Sequence, residues 1–287
     1  MEAGPQTAKN FGLISLPYSE ADAAILPVPY EGSVTYGIGT RHGPDAIIKA
    51  SHHAESYDFL KNRNYENIKI ATLSPPELDG KTPEETMGIV QNRVSSILED
   101  GKLPFLLGGE HSITGPAVRA VAAKHEIGVV QLDAHADLRH EYGGTIHSHA
   151  CVMARVREAA DAVQLGIRSC SIEEGELIRD ENYTVLDPAS ALKNGRLENS
   201  LEKLPEKVYM TIDVDCMDPS IMPSTGTPEP GGFTWEQVNS IVQTVARRKT
   251  IVGADLVELA PIPALHAPDF LAARLVFNIL AEIFLRR

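Results

Sequence analysis

Eight short runs of this chain read as strands, with helix signals between them. The runs are DAAILPVPY (22–30), IKIATL (68–73), LPFLLGG (103–109), GVVQLD (128–133), AVQLGIRS (162–169), YTVLD (183–187), VYMTIDVD (208–215) and TIVGADLVEL (250–259). Several are apolar throughout instead of alternating, the pattern of parallel strands covered on both faces. Thr82-Pro83-Glu84-Glu85 supplies an N-cap, a proline at the first helical position and a capping-box glutamate. Ser171 with Glu174, and Thr234 with Gln237, repeat the box. Strands and helices in this alternation predict an α/β fold, a single three-layer domain with a central, mostly parallel eight-stranded sheet. No internal repeat, low-complexity tract or long linker interrupts the 287 residues. Residues 1–287 are therefore read as one domain, with residues 1–20 as an N-terminal extension.

In such sheets ligands bind beyond the carboxyl ends of the strands. Asp133, His135 and Asp137 follow the run 128–133, Asp213 and Asp215 close 208–215, and Glu258 closes 250–259. His111 follows Gly108-Gly109 at the end of 103–109. Asp133, His135 and Asp137 are spaced i, i+2, i+4, so an extended segment would project all three from one face, with Ala134 and Ala136 on the other. Asp213 and Asp215 show the same spacing. Alone, each motif has an ordinary reading: an accidental loop, an Asp capping a turn, a His in a helix cap or core. Together they bring four carboxylates and two imidazoles to one rim. Four carboxylates repel one another, and without cations most would have to hold a proton. Two divalent ions cancel that repulsion, and a ligand set rich in oxygen and free of thiolate favours Mn²⁺ over a zinc site. Two ions ~3.5–4 Å apart would hold and acidify a bridging water, giving a hydroxide nucleophile near neutral pH.

Around these residues stand GGEHS (108–112), DAHAD (133–137), HSHACVM (147–153), TIDVDCMDP (211–219), STGTPEPGG (224–232) and GADLVELAP (253–261). In these motifs, and in their order from about residue 22 to the C-terminus, the chain resembles the ureohydrolase family of arginases and agmatinases. The resemblance implies the arginase-like fold, two Mn²⁺ per subunit, and hydrolysis of a guanidino group to urea and an amine by a metal-bridging hydroxide. It assigns His111, Asp133, Asp137 and Asp213 to one ion and His135, Asp133, Asp213 and Asp215 to the other, with Asp133 and Asp213 shared. Asp137 would also hydrogen-bond the hydroxide and pass its proton towards the leaving amine. His149 would shuttle protons to solvent, and Glu258 would grip the substrate guanidinium with two parallel hydrogen bonds. His147, two residues before His149, is the other histidine able to take the shuttle role, though a loop position fits it better. Glu110 stands where the family more commonly has Asp, one methylene longer beside His111. Thr225, Thr227 and Glu229 lie in a Gly/Pro loop that either shapes the substrate site or forms a plain turn.

Arginases usually carry an Asn and a Ser after the third metal-binding Asp to hold the amino-acid end of their substrate. The corresponding stretch here, LRHEYGGTIHSHA (138–150), has no such pair, and LGIRSCSIEE (165–174) resembles agmatinases. The expected partner is a small cationic guanidino substrate lacking an α-carboxylate, with agmatine, hydrolysed to putrescine and urea in polyamine biosynthesis, as first choice. Guanidinobutyrase or arginase-type activity is the alternative within the class. A cation in the distal pocket, Arg168 or Arg139, would favour guanidinobutyrate. A catalytically inactive metal-binding homologue would need a broken ligand set, and none of the six positions is broken.

A formal charge of −13 argues against a nucleic-acid surface and suits attraction of a small cation. Three cysteines, Cys151, Cys170 and Cys216, without metal-ligand spacing suggest reduced thiols and a cytoplasmic protein. The first residues read as no signal peptide. The apolar C-terminal run DFLAARLVFNILAEIFLRR is interrupted by Arg274 and Glu282, so an amphipathic helix is expected and no membrane span. The resemblance further implies a homo-oligomer, a trimer or hexamer.

Overall fold

The structure is a computed structural model that describes residues 9–285. All eight expected strands form: β1 Ala23–Val28, β4 Ile70–Thr72, β5 Leu103–Gly108, β6 Ile127–Leu132, β7 Ala162–Leu165, β8 Thr184–Leu186, β9 Lys207–Asp213 and β10 Thr250–Val257. Sequence patterning missed β2 Tyr57–Asp58 and β3 Arg63–Asn64, an antiparallel pair of two-residue strands too short to show any alternation. The main sheet has the order β4-β1-β5-β10-β9-β6-β7-β8, and every pairing in it is parallel.

Successive strand residues enter opposite cores, as strand geometry requires. Ala23 and Ile25 join one cluster and Ala24 and Leu26 the other, just as Phe105 and Leu107 are divided from Leu106. The first cluster is closed by α1 (Gly43–Ser51), α8 (Trp235–Arg248) and α9 (Ala267–Phe284), the second by α2 (Pro83–Glu99), α3 (Thr114–Ala122) and α4 (Val152–Arg157). Two covered faces explain why the strands are apolar throughout. Shorter helices, α5 (Ile172–Asp180), α6 (Pro188–Ala191) and α7 (Arg196–Leu201), complete the order. The capping boxes expected at Thr82, Ser171 and Thr234 all form, with both reciprocal bonds in each.

Helix α9 carries its charges as an amphipathic helix does. Glu282 receives Arg63 at 2.7 Å and Lys61 at 3.2 Å, and Arg274 donates to the Glu55 carbonyl at 2.9 Å. No helix among the described residues is long and apolar enough to cross a membrane. Of the N-terminal extension, residues 1–8 lie outside the described residues; Phe11 is buried against the Phe277 ring, centroids 4.6 Å apart.

Four neighbouring strands in the middle of the sheet, β5-β10-β9-β6, end at His111, Glu258, Asp213–Asp215 and Asp133–Asp137 respectively. Their register therefore delivers every proposed metal ligand to one stretch of the carboxyl edge.

Candidate metal centre

The segments bearing the aspartates are extended only in part: His135 still bridges to Ser169 in parallel, but both segments end in turns that their spacing did not predict. Strand β6 stops at Leu132, and Asp137 adopts φ 53°, a left-handed turn. Its carbonyl accepts the Met153 and Ala154 amides at 2.9 and 3.3 Å, which fasten that turn to α4. Likewise β9 ends at Asp213, and Val214–Cys216 is a single 3-10 turn in which the Asp213 carboxylate accepts the Asp215 amide at 2.8 Å. Turns bring the carboxylates round to converge where a straight strand would carry them past one another. The spacing pointed to residues that meet here, but not to the turns that bring them together. Ala134 and Ala136 are fully buried, as small residues beneath the turn must be.

Two clusters result, one of His111, Asp133 and Asp137 and the other of Asp133, His135 and Asp215, with potential ligand atoms in each within 4.8 Å of one another. Asp133 belongs to both. His111 Nδ1 lies 3.0 Å from Asp133 Oδ2, 3.4 Å from Asp137 Oδ2 and 3.5 Å from Asp213 Oδ2. His135 Nδ1 lies 3.0 Å from Asp215 Oδ2 and 3.7 Å from Asp133 Oδ1. His111 is completely buried, and its Nε2 meets the Thr211 hydroxyl at 2.8 Å. With that nitrogen engaged, Nδ1 has no properly aligned hydrogen bond and faces three carboxylate oxygens. A buried ring nitrogen aimed into a nest of carboxylates, with its other nitrogen fixed by a hydroxyl, is the arrangement of a metal-ligating histidine.

Electrostatics agree with a cation site. Burial and then the neighbouring Asp133 push the Asp137 carboxyl up to about 7. Burial, Asp215 and Asp133 hold Asp213 well above the carboxylate range. Against the burial that would lower it, the carboxylates of Asp133 and Asp215 lift His135 to about 12. Asp133, opposed by its own burial, is held low by His111 and His135. Four acids this close need positive charge, and divalent cations supply it without protons.

Glu258 also stands in a left-handed turn, φ 65°, and its Oε1 accepts the His111 amide at 2.6 Å. Enclosure and the nearby Glu110 push this carboxyl well up, which suits a group that meets a cationic substrate. A cavity of about 310 Å³ opens over the carboxyl edge, and its wall includes His135, Asp137, His149, Asp213, Asp215 and Glu258. His149 presents Nδ1 to Ser33 Oγ at 2.7 Å and Nε2 to Thr35 Oγ1 at 2.8 Å. Burial first, then the charges of His111 and His135, lower its pKa to about 4. His147 is absent from the cavity wall and donates its amide to Thr145 Oγ1 at 3.1 Å, a loop role.

The sequence profile of the arginase family matches residues 21–281. The chain belongs to the arginase family. It is 35% identical over 273 residues to the N(1)-aminopropylagmatine ureohydrolase of Synechocystis, covering 92% of this chain and 89% of that protein. To the agmatinase of Bacillus subtilis it is 34% identical, covering 85% and 86%. The crystal structure of the agmatine ureohydrolase of Thermoplasma volcanium superimposes with a TM-score of 0.88 at 31% identity, over 96% of this chain and 94% of that one. The arginase-like three-layer fold and the hydrolase class expected from the motifs are thereby established.

Within this arginase-family site, Arg168 corrects an expectation. Its guanidinium is spent on backbone carbonyls of Glu229, Asp215, Pro230 and Gly166, at 2.7, 2.8, 3.0 and 3.1 Å. It braces the loop 226–230 and is no receptor for a substrate carboxylate. Arg139 does line the cavity, 3.9 Å from Glu174 Oε2 and over the Tyr142 ring. Thr227 and Glu229 reach the wall, whereas Thr225 pairs with Leu259 in an isolated bridge behind it.

Two residues escaped the sequence reading. Gln131 Nε2 donates to Asp133 Oδ2 at 2.7 Å and is itself held by Gln164 Nε2 at 2.7 Å. Both glutamines are fully buried and opposite one another in β6 and β7. A glutamine at the matching position of each of two apolar strands was the available signal, because buried amides must find partners. Thr211, a fully buried hydroxyl of β9, is the other, and orients His111.

Proposed function

We propose that this chain hydrolyses a cationic guanidino compound lacking an α-carboxylate, agmatine or an amine-extended form of it, to urea and an amine. The observation that carries this reading is the double cluster sharing Asp133, with the Glu258 carboxyl on the wall of the cavity above it. His111, Asp133, Asp137 and Asp213 would hold one Mn²⁺, and His135, Asp133, Asp213 and Asp215 the other. Such a pair supplies an acidified water as nucleophile and positive charge for the developing transition state.

The remaining work falls to the side chains. Glu258 receives the guanidinium through two parallel hydrogen bonds and fixes its plane across the cavity. Asp137, on the cavity wall beside the cluster, is placed to accept a proton and return it to the leaving nitrogen. His149 exchanges protons between the cavity and the solvent. Loss of the amine follows protonation of the alkyl nitrogen, and urea remains.

The extended form has its own support. Synechocystis and Thermus relatives of 35–36% identity are named for N(1)-aminopropylagmatine, above the agmatinases at 32–34%. Glu229 stands on the cavity wall with its carboxylate unpaired among the described residues, a place for a second ammonium. A cytoplasmic homo-oligomer, trimer or hexamer, belongs to the same reading and is supported by the family resemblance.

The test is urea release by the Mn²⁺-loaded protein from agmatine, N(1)-aminopropylagmatine, arginine and 4-guanidinobutyrate. Turnover of either of the first two above the others is expected. Urea from none would contradict the hydrolase reading; urea from guanidinobutyrate alone would overturn only the substrate.

A further inference from the structure

Glu110 was read from the sequence as a longer version of a residue beside His111. Its carboxylate turns instead towards a different loop. It is 1% exposed and collects donors: the Ser33 amide at 2.5 Å and Ser33 Oγ at 3.0 Å, and Ser112 Oγ at 2.6 Å. Ser33 in turn touches His149 twice, accepting its amide at 3.0 Å and meeting its Nδ1 at 2.7 Å. Three chain segments separated by 77 and 116 residues thus meet at one serine hydroxyl. Their approach is close. A Cβ on Gly109 would strike the Tyr30 carbonyl oxygen, so only glycine lets the end of β5 lie against the segment after β1 and bring Glu110 within reach of Ser33.

Counting donors settles what this contact does. A serine hydroxyl has one proton and two lone pairs. Burial raises the Glu110 carboxyl to about 7, while the Ser33 amide and the Ser33 and Ser112 hydroxyls favour its ionised form; as a carboxylate it takes the Ser33 proton, and Ser33 Oγ already accepts the His149 amide. The Nδ1 of His149, 2.7 Å from the same oxygen, must then be the donor. A neutral imidazole carries one proton, so Nε2 is left as the acceptor, facing the Thr35 hydroxyl at 2.8 Å.

We propose that Glu110, acting through Ser33, is a positioning residue for His149: it fixes the ring's orientation and places its proton on Nδ1, leaving Nε2 as the nitrogen that takes up and hands over protons at the cavity. The extra methylene of Glu110 supplies the reach. This rests on the reading of His149 as the proton shuttle.

The experiment compares Ser33→Ala, Glu110→Gln and His149→Ala with the parent, all Mn²⁺-loaded, by kcat, KM, metal content and the response of kcat to added imidazole. The glutamine keeps the shape of Glu110 but adds a donor, which frees the Ser33 proton to turn towards Nδ1. In Ser33→Ala and Glu110→Gln, kcat should fall about 10- to 100-fold with KM within about twofold and metal content unchanged. Imidazole should restore kcat in all three variants, since a dissolved base replaces a misdirected ring but cannot repair a displaced loop. Unchanged kcat in Ser33→Ala and Glu110→Gln, alongside a drop in His149→Ala, would overturn the proposal and leave the shuttle standing. So would a loss that imidazole does not restore, or that follows lost metal. Full activity in His149→Ala would overturn the shuttle reading itself.

Discussion

The floor of the cavity and its mouth are built on different principles. On the floor, Asp133, Asp213 and Asp215 are 0%, 3% and 2% exposed, and hydrogen bonds hold each from its own chain segment or a neighbouring strand. At the mouth, Tyr36 and Ile38 are 83% and 78% exposed on a loop held by the Gly37 amide on the Gly226 carbonyl and by the Gly39 and Thr40 amides on the Glu31 carboxylate. The floor suits cations, because so many buried acids repel one another without them. No member of either cluster stands on that loop.

Substitutions should divide accordingly. Asp133→Asn removes the ligand common to both clusters, and activity should drop by roughly 10²–10³-fold together with bound manganese; normal metal content would break the assignment of Asp133 as a shared ligand. Gln131→Leu leaves every ligand in place but removes the donor to Asp133 Oδ2. Manganese affinity, measured by titration into the metal-free protein, should weaken about 10-fold, and unaltered affinity would show that the Gln131–Gln164 pair serves packing alone.

At the mouth the effects shrink. Arg168→Ala strips four carbonyls of their donor, and should lower stability by about 1–2 kcal/mol and raise KM while leaving metal content intact. A lower kcat with metal loss would instead make Arg168 part of the floor. Smallest is Glu229→Gln, which should raise KM for an amine-extended guanidine by up to about fivefold, the size of a solvent-exposed ion pair, and leave kcat unchanged. An equal effect on a guanidine with no distal amine would remove Glu229 from substrate recognition.

The same division marks how far the sequence could be read. Strand identity was legible because parallel strands covered on both faces are apolar throughout, and helix starts because a capping box is local. The residues of the two clusters were legible as polar residues at strand ends. Their backbone was not: left-handed turns at Asp137 and Glu258 are imposed by contacts such as the Met153 and Ala154 amides on the Asp137 carbonyl, which lie far along the chain. The Glu110–Ser33–His149 contact was hidden for the same reason. Arg168 shows the opposite error, where a cation in the right region of the sequence was offered to a ligand that the backbone had already displaced.

Everything rests on two cations sharing the floor. Electron paramagnetic resonance of the protein saturated with Mn²⁺ and freed of excess metal tests this without turnover. Two ions per chain with the signal of an exchange-coupled pair are predicted, since ions bridged by one carboxylate lie ~3.5–4 Å apart. A single ion per chain with the six-line spectrum of isolated Mn²⁺ would contradict it.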